Sequence, residues 1–229
     1  KNGILKLPLG VREYFDIPLE NHTRDILAAE APLTLRSLTL TTSSVSLTIS
    51  KEVVQMECST TAGLDRNLRN LTYWNKGRAI QYELSKAVKI AETTKEIVSS
   101  FKRNDVRIRK KIASKYGSRR KNRVNHLLHC VTKHIVRQAY TNKEVIVLED
   151  IRGIRNLYRK GNGQGTTYRG RMNSWSFFEA QRQVEYKAAW TGAPVIHLTK
   201  AETRGTTTDC ARCGERLQSP ARDDLEHRR

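Results

Sequence analysis

The sequence predicts an α/β domain with a long helical insertion, preceded by a small β-rich segment and followed by a short cysteine-bearing tail. Three observations predict it. Two runs near the start alternate apolar and polar residues, as paired strands do. Residues 79–140 contain no proline and carry helical periodicity. A continuous apolar run, Val145-Ile146-Val147-Leu148, has the composition of a strand buried on both faces. Strands and helices alternate from about residue 60 to 200, which is the signature of an α/β domain.

In the β-rich part, residues 1–55, Leu35-Arg36-Ser37-Leu38-Thr39-Leu40-Thr41 and Val45-Ser46-Leu47-Thr48-Ile49 flank the polar break Thr42-Ser43-Ser44. That pattern is a hairpin signal. Pro8, Gly10, Pro18 and Pro32 predict irregular connections upstream of it. A strand is expected from Thr61 to Leu64 and a second through Leu71-Thr72-Tyr73-Trp74, with Gly77 ending the unit. Gly117 is expected to interrupt the helical stretch, giving at least two helices. In the second, Val124, Leu127, Leu128, Val131 and Ile135 form one apolar stripe. The buried strand ends in Glu149-Asp150. Residues 152–171, rich in Gly, Arg and Asn, predict a mobile basic loop. A helix is expected from about Ser174 to Trp190, with Ser174 as N-cap and Gly192 near its end. Pro194-Val195-Ile196-His197-Leu198 gives the last strand.

Charge is the strongest bulk signal. The 42 Lys and Arg against 23 Asp and Glu leave a formal +19, which points to a polyanionic partner. Residues 101–125 hold eleven Lys or Arg and one acid, Asp105, interleaved with Phe101, Val106, Ile108, Ile112 and Tyr116. A solvated helix face is the plain alternative. So one-sided a run repels itself until an anion neutralises it. Lys102, Arg103, Arg107, Arg109, Lys110, Lys111, Arg119, Arg120, Lys121 and Arg123 are therefore the candidate phosphate contacts.

No apolar run reaches the roughly 18 residues of a membrane-spanning helix, so no membrane partner is expected. Lys1-Asn2-Gly3-Ile4 lacks the features of a signal peptide and an initiator Met, and the chain is expected to begin inside a longer protein. Four cysteines, Cys58, Cys130, Cys210 and Cys213, are not a disulfide framework in a chain this long. A reduced, cytoplasmic, nucleoid-associated setting is expected.

Two carboxylates stand out by position. Asp65 sits where a strand breaks into a turn, and Glu149 at the carboxyl end of the buried strand. A carboxylate is costly to bury alone, and a divalent cation removes that cost. Mg²⁺ is hard and takes oxygen ligands, so acids suit it. The plain alternative makes Asp65 a turn residue and Glu149 a strand-end acid. Asp150 competes with Glu149, but neighbouring strand residues point to opposite faces, so only one reaches a shared site. Cys210-Ala211-Arg212-Cys213-Gly214 has the spacing of half a zinc site. No further cysteine follows it, and His227 supplies one ligand at most. His126, Cys130 and His134 recur every four residues, a spacing that suits metal ligands but more often marks a solvent- or nucleic-acid-facing row.

These residues resemble a known family. Trp175-Ser176-Phe177-Phe178, Gln181, Glu185-Tyr186-Lys187-Ala188-Ala189, Gly192, Pro194-Val195 and Cys210-x-x-Cys213-Gly214 resemble the TnpB family, transposon-encoded OrfB-type proteins related to type V CRISPR effector nucleases. Gly63-Leu64-Asp65 resembles the first RuvC motif of that family, and Val145 to Ile151 the second. The match covers about 60 to 214, and residues 1–55 resemble the end of the wedge domain more loosely. The resemblance implies an RNase H-like RuvC nuclease domain over 58–199 with a basic helical insertion at about 79–140, a wedge-like segment at 1–57 and a partial zinc ribbon at 200–229. It implies a guide RNA, a DNA substrate, catalytic Mg²⁺ held by Asp65 and Glu149, and Zn²⁺ at Cys210 and Cys213 if a second cysteine pair is present. The third carboxylate of the family follows that second pair, and both are expected beyond Arg229. Asp209, Asp223 and Asp224 are poor substitutes by position. Asn67 stands where the family often has Gly, and Asn tolerates the left-handed backbone that such a turn uses.

Three functions remain in view. The first is an RNA-guided, Mg²⁺-dependent endonuclease of which this chain is an incomplete and inactive piece. The second is a non-catalytic DNA- or RNA-binding protein or regulator of transposition. The third, a basic structural protein of a ribonucleoprotein, explains the charge but neither the acid-tipped buried strand nor the paired cysteines.

Overall fold

Period-two patterning builds the first part of the chain. β1 (Ile4–Gly10) pairs antiparallel with β2 (Glu13–Pro18), α1 (Asn21–Leu27) follows, and β3 (Leu33–Leu40) pairs antiparallel with β4 (Val45–Lys51). The second hairpin is the one its alternation predicts, and Thr41 closes its turn by accepting from the Ser44 backbone N–H at 3.0 Å. The first corrects the expectation of irregular chain around Pro8, Gly10 and Pro18. A two-stranded sheet has only edges, so the missing N–H of Pro8 is tolerated, and the register shifts between Pro8 and Gly10.

The structure, a computed structural model, describes residues 3–28, 33–101, 106–206, 208, 209, 215 and 216, with Arg107 and Ile108 described in backbone only. The chain divides into two compact units, Lys1–Val54 and Gln55–Arg229. No described helix is long and apolar enough to cross a membrane.

The second unit is built on a five-stranded mixed sheet. β5 (Thr60–Arg66), β6 (Asn70–Asn75) and β7 (Arg78–Glu83) form an antiparallel meander. Two helices, α2 (Ser85–Ser100) and α3 (Val106–Asn142), lead to β8 (Glu144–Glu149). A 3₁₀ turn (Ile154–Tyr158), α4 (Thr166–Ser174) and α5 (Phe177–Thr191) lead to β9 (Val195–Leu198). The strand order is β7-β6-β5-β8-β9, and β8 runs parallel to both its neighbours. The apolar run at 145–148 thus lies inside the sheet, and the unit is a mixed α/β fold.

Several boundaries differ from the sequence expectation. Residues 79–83, expected to open the helical stretch, belong to β7 instead. Lys76 and Gly77 both take left-handed backbone, with φ of 44° and 79°, and this turn folds β7 back on β6 rather than ending the unit. Gly117 does not interrupt α3. One glycine costs a helix about 1 kcal/mol, and α3 is anchored further along by Val124, Leu128, Ile135, Val136 and Ala139 in the core. The helical break falls at Phe101, which is extended. The segment 152–171, expected to be loop throughout, contains the 3₁₀ turn and the start of α4. Ser174 ends α4 rather than capping the next helix, and α5 closes on Gly192 with φ of 85°.

The two faces of the sheet differ. Ala62, Leu64, Leu71, Tyr73, Ile146 and Leu148 share one face and are buried in a common core with side chains of α2, α3, α4 and α5. Gly63, Asp65, Thr72, Trp74, Val147 and Glu149 share the other, and none of them is fully buried. Glu144 anchors the amino end of β8. It is 1% exposed, and its carboxylate accepts from Tyr73 Oη and Asn75 Nδ2. Burial and this contact push the Tyr73 phenol well above its ordinary pKa.

Removing one partner of a buried charge leaves the other uncompensated. Tyr73→Phe is expected to lower the unfolding free energy by about 1–3 kcal/mol. Glu144→Gln, which keeps an acceptor and removes the charge, should cost less. Denaturant titration checks both, and equal losses would contradict this account of Glu144.

Candidate functional site

The register of two parallel strands brings the two predicted carboxylates together. β5 and β8 pair from Thr60↔Glu144 through Leu64↔Leu148. The next residue on each strand is Asp65 and Glu149. Both are exposed and both belong to the open face, because each follows a buried leucine by one position. The Glu149 carboxylate has no hydrogen-bond or ion-pair partner among the described residues. Asp65 Oδ2 accepts a 2.7 Å hydrogen bond from Asn67 Nδ2, which also reaches Asn70 Oδ1 at 3.2 Å. Asn67 therefore orients the acid. It does so without using the left-handed backbone that Asn tolerates: among the described residues, those other than glycine with positive φ are Arg12, Lys76 and Lys143.

Asp150 is engaged elsewhere. Its carboxylate accepts from Arg152 Nε at 2.9 and 3.0 Å and from the Arg152 backbone N–H at 2.8 Å, and these bonds hold its pKa at about 2. Glu149, not Asp150, is the acid left free beside Asp65. A small hollow of about 230 Å³ opens next to Glu149, with Arg152, Gly153, Leu157 and Lys200 in its wall.

Behind the two acids lies a cation that sequence reading missed. Arg66 follows Asp65 directly and so turns to the buried face, where it is 5% exposed. Its Nη2 donates to the backbone carbonyl of Glu149 and its Nη1 to Gln181 Oε1 of α5. Gln181 Nε2 donates to Glu185 Oε1 at 2.7 Å, and Glu185 faces His197 Nε2 of β9 at 3.1 Å. Burial lowers the pKa of the Arg66 guanidinium, and Glu149, Glu185, Asp65 and Asp150 pull it back up. The signal was available in part. Strand alternation alone places residue 66 inward, and an inward arginine beside an outward aspartate calls for a partner.

The basic residues form a second feature. Arg119, Arg120 and Arg123 of α3 rim an open groove of about 680 Å³ whose other wall is Lys86 and Lys89 of α2. Ile90, Ile97 and Tyr116 line its floor. The guanidinium of Arg119 sits 5.8 Å from the Tyr116 ring centroid. Lys86 and Lys89 were not singled out from the sequence, because only the helix packing shows that α2 faces this part of α3. Of the other predicted contacts, Lys110, Lys111 and Lys121 are exposed on α3 and Arg109 is half-buried. Lys102 and Arg103 lie outside the described residues, as does the side chain of Arg107.

His126, Cys130 and His134 lie exposed along α3, with Cys130 Sγ 3.9 Å from His126 Nε2. Among the described residues no three His, Cys, Asp or Glu side chains gather in a metal-binding cluster. Cys210, Cys213, Asp223, Asp224 and His227 lie outside the described residues. Asp209 is described and bridges to Arg216.

Comparison with known proteins fits this geometry. No family model matches the chain. A TnpB-like protein of Methanocaldococcus jannaschii is 29% identical over 167 residues, which cover 67% of this chain and 56% of that protein. The chain thus spans little more than half the length of this curated relative. Two solved structures share its fold. One is a complex of Cas12f1 with sgRNA and target DNA, with a TM-score of 0.58, 13% identity, and coverage of 80% of this chain and 37% of the other. The second is a CRISPR-Cas12f ternary complex, with a TM-score of 0.56, 12% identity, and coverage of 90% and 42%. The chain is therefore similar in sequence to a TnpB-like protein and in fold to Cas12f, in keeping with the TnpB resemblance carried by the motifs around Asp65, Glu149 and Gln181.

Proposed function

We propose that this chain is part of a RuvC-like, RNA-guided DNA endonuclease of the TnpB kind. The observation that carries the reading is the adjacency of Asp65 and Glu149 at the carboxyl ends of two parallel strands, on the open face of the sheet. Two exposed carboxylates with no competing cation on Glu149 are hard oxygen donors, which suits Mg²⁺. When bound, the metal would activate water and stabilise the leaving oxygen in hydrolysis of a phosphodiester. Asp65 and Glu149 would hold it, and Asn67 would fix the rotamer of Asp65. Lys200 would place positive charge beside Glu149, where a phosphate could approach.

The groove between α2 and α3 would track a nucleic-acid backbone. Its rims are cationic and its floor is aliphatic and aromatic, so it suits phosphates without reading bases. Guide RNA and DNA are the proposed partners, with base pairing reading the sequence. Cys210 and Cys213 remain proposed Zn²⁺ ligands, contingent on a second pair.

Two outcomes follow. Alanine at Arg119, Arg120 and Arg123 together should weaken binding to an RNA–DNA heteroduplex and to unrelated duplexes alike. It should also flatten the plot of log K against log salt by about 2–3, measured by fluorescence anisotropy at several salt concentrations. An unchanged slope would remove the groove from the interface. The 229-residue chain by itself is expected to bind nucleic acid without cutting it in Mg²⁺. Robust cleavage that Asp65→Ala abolishes would show that a third ligand is already present.

A further inference from the structure

We propose that Arg66 is a positioning residue for the metal-binding pair: its side chain closes the gap where the β5–β8 ladder ends and so sets the spacing of Asp65 and Glu149. This rests on the metal-site reading above. The pairing of β5 with β8 stops at Leu64↔Leu148, while β8 continues beside β9 to Glu149↔Leu198. The two acids therefore stand one step past the last backbone rung that joins their strands. Like charges at that place push the strand ends apart, and no residue pair of β5 and β8 lies beyond Leu64↔Leu148 to oppose them.

Arg66 does oppose them. Its guanidinium donates to the Glu149 carbonyl, so a side chain of β5 takes the place of the missing rung. The same guanidinium is tied to α5 through Gln181, and Gln181 through Glu185 to His197 on β9. The clamp thus spans β5, β8, α5 and β9 around the carboxyl ends of the three parallel strands. It also puts one buried positive charge behind two negative ones. Arg66 touches neither open-face carboxylate, so its action runs through the main chain of Glu149. Lysine cannot make the same two bonds, because it lacks the planar fork.

The test uses the full chain and Mn²⁺, a spin probe for a Mg²⁺ site, followed by electron paramagnetic resonance titration. Asp65→Ala defines the site. Arg66→Gln is expected to weaken Mn²⁺ binding tenfold or more, the range for residues that orient metal ligands. Gln181→Leu, which loosens the guanidinium without touching β5, should weaken it severalfold. Both should keep the wild-type circular dichroism spectrum and the wild-type affinity for a nucleic-acid duplex in EDTA, which a general loss of structure would not. Folded variants with wild-type Mn²⁺ affinity overturn the positioning role alone. If Arg66→Gln fails to fold, Gln181→Leu decides in the same way. Wild-type chain that binds no Mn²⁺, or whose binding ignores Asp65→Ala, overturns the metal site and the positioning role with it.

Discussion

The parallel pairing of β5 with β8 is the constraint on which the site depends. Two unit charges 4 Å apart repel by about 1 kcal/mol in water and about 4 at the effective dielectric of a protein surface. A flexible segment would relieve that by moving. Asp65 and Glu149 have little such freedom, because five paired positions from Thr60↔Glu144 to Leu64↔Leu148 hold their strands in register up to the residue before each acid. The lock is maintained by the core: Ala62, Leu64, Ile146 and Leu148 are all at most 4% exposed. A slip of one residue would turn these side chains to water and both acids inward. The apolar face thus fixes where the charged face puts its carboxylates.

The cations obey a different logic. A surplus of +19 needs anions, and it is not spread evenly. The carboxylate end of the sheet holds its own balance, with Asp150 satisfied by Arg152 and Glu185 beside His197. The groove between α2 and α3 has none, for its lining residues include five Lys or Arg and no acid. A solvated helix face would spread such charges outward. Here they converge on a groove lined also by Ile90, Ile97 and Tyr116, where a phosphate backbone would satisfy them and water leaves them repelling.

How far the sequence foretold this depended on the range of the interaction. β8 was legible because four consecutive aliphatic residues have few other homes. The β3–β4 hairpin and the α3 stripe were legible because their periods are local. β7 was not: five of its six residues are exposed, so it carries no core pattern and exists because β6 offers an edge and Lys76-Gly77 a turn. Gly117 misled because local propensity is weak beside the packing of a 37-residue helix. Asp65 and Glu149 were found by position at strand ends, but their adjacency is a fact of register, which no single strand shows. Lys86 and Lys89 needed the packing of α2 on α3.

Arg66 is the most instructive of the residues the sequence concealed. Its partners lie 83 and 115 residues away, so no local pattern announces them. Were stability alone at issue, an apolar residue would serve at this place, as Ala62 and Leu64 do four and two positions before it. A buried ion gains less from its partners than it loses in leaving water unless its geometry is good, and Nε of Arg66 is left without a partner. The cost makes sense where the positive charge has work on the far side of the strand. Four acids, Glu149, Glu185, Asp65 and Asp150, act on it through the sheet and favour its charged form. The pair of exposed carboxylates and the buried cation are thus one arrangement: the fold tolerates the charge within because it must hold the charges without.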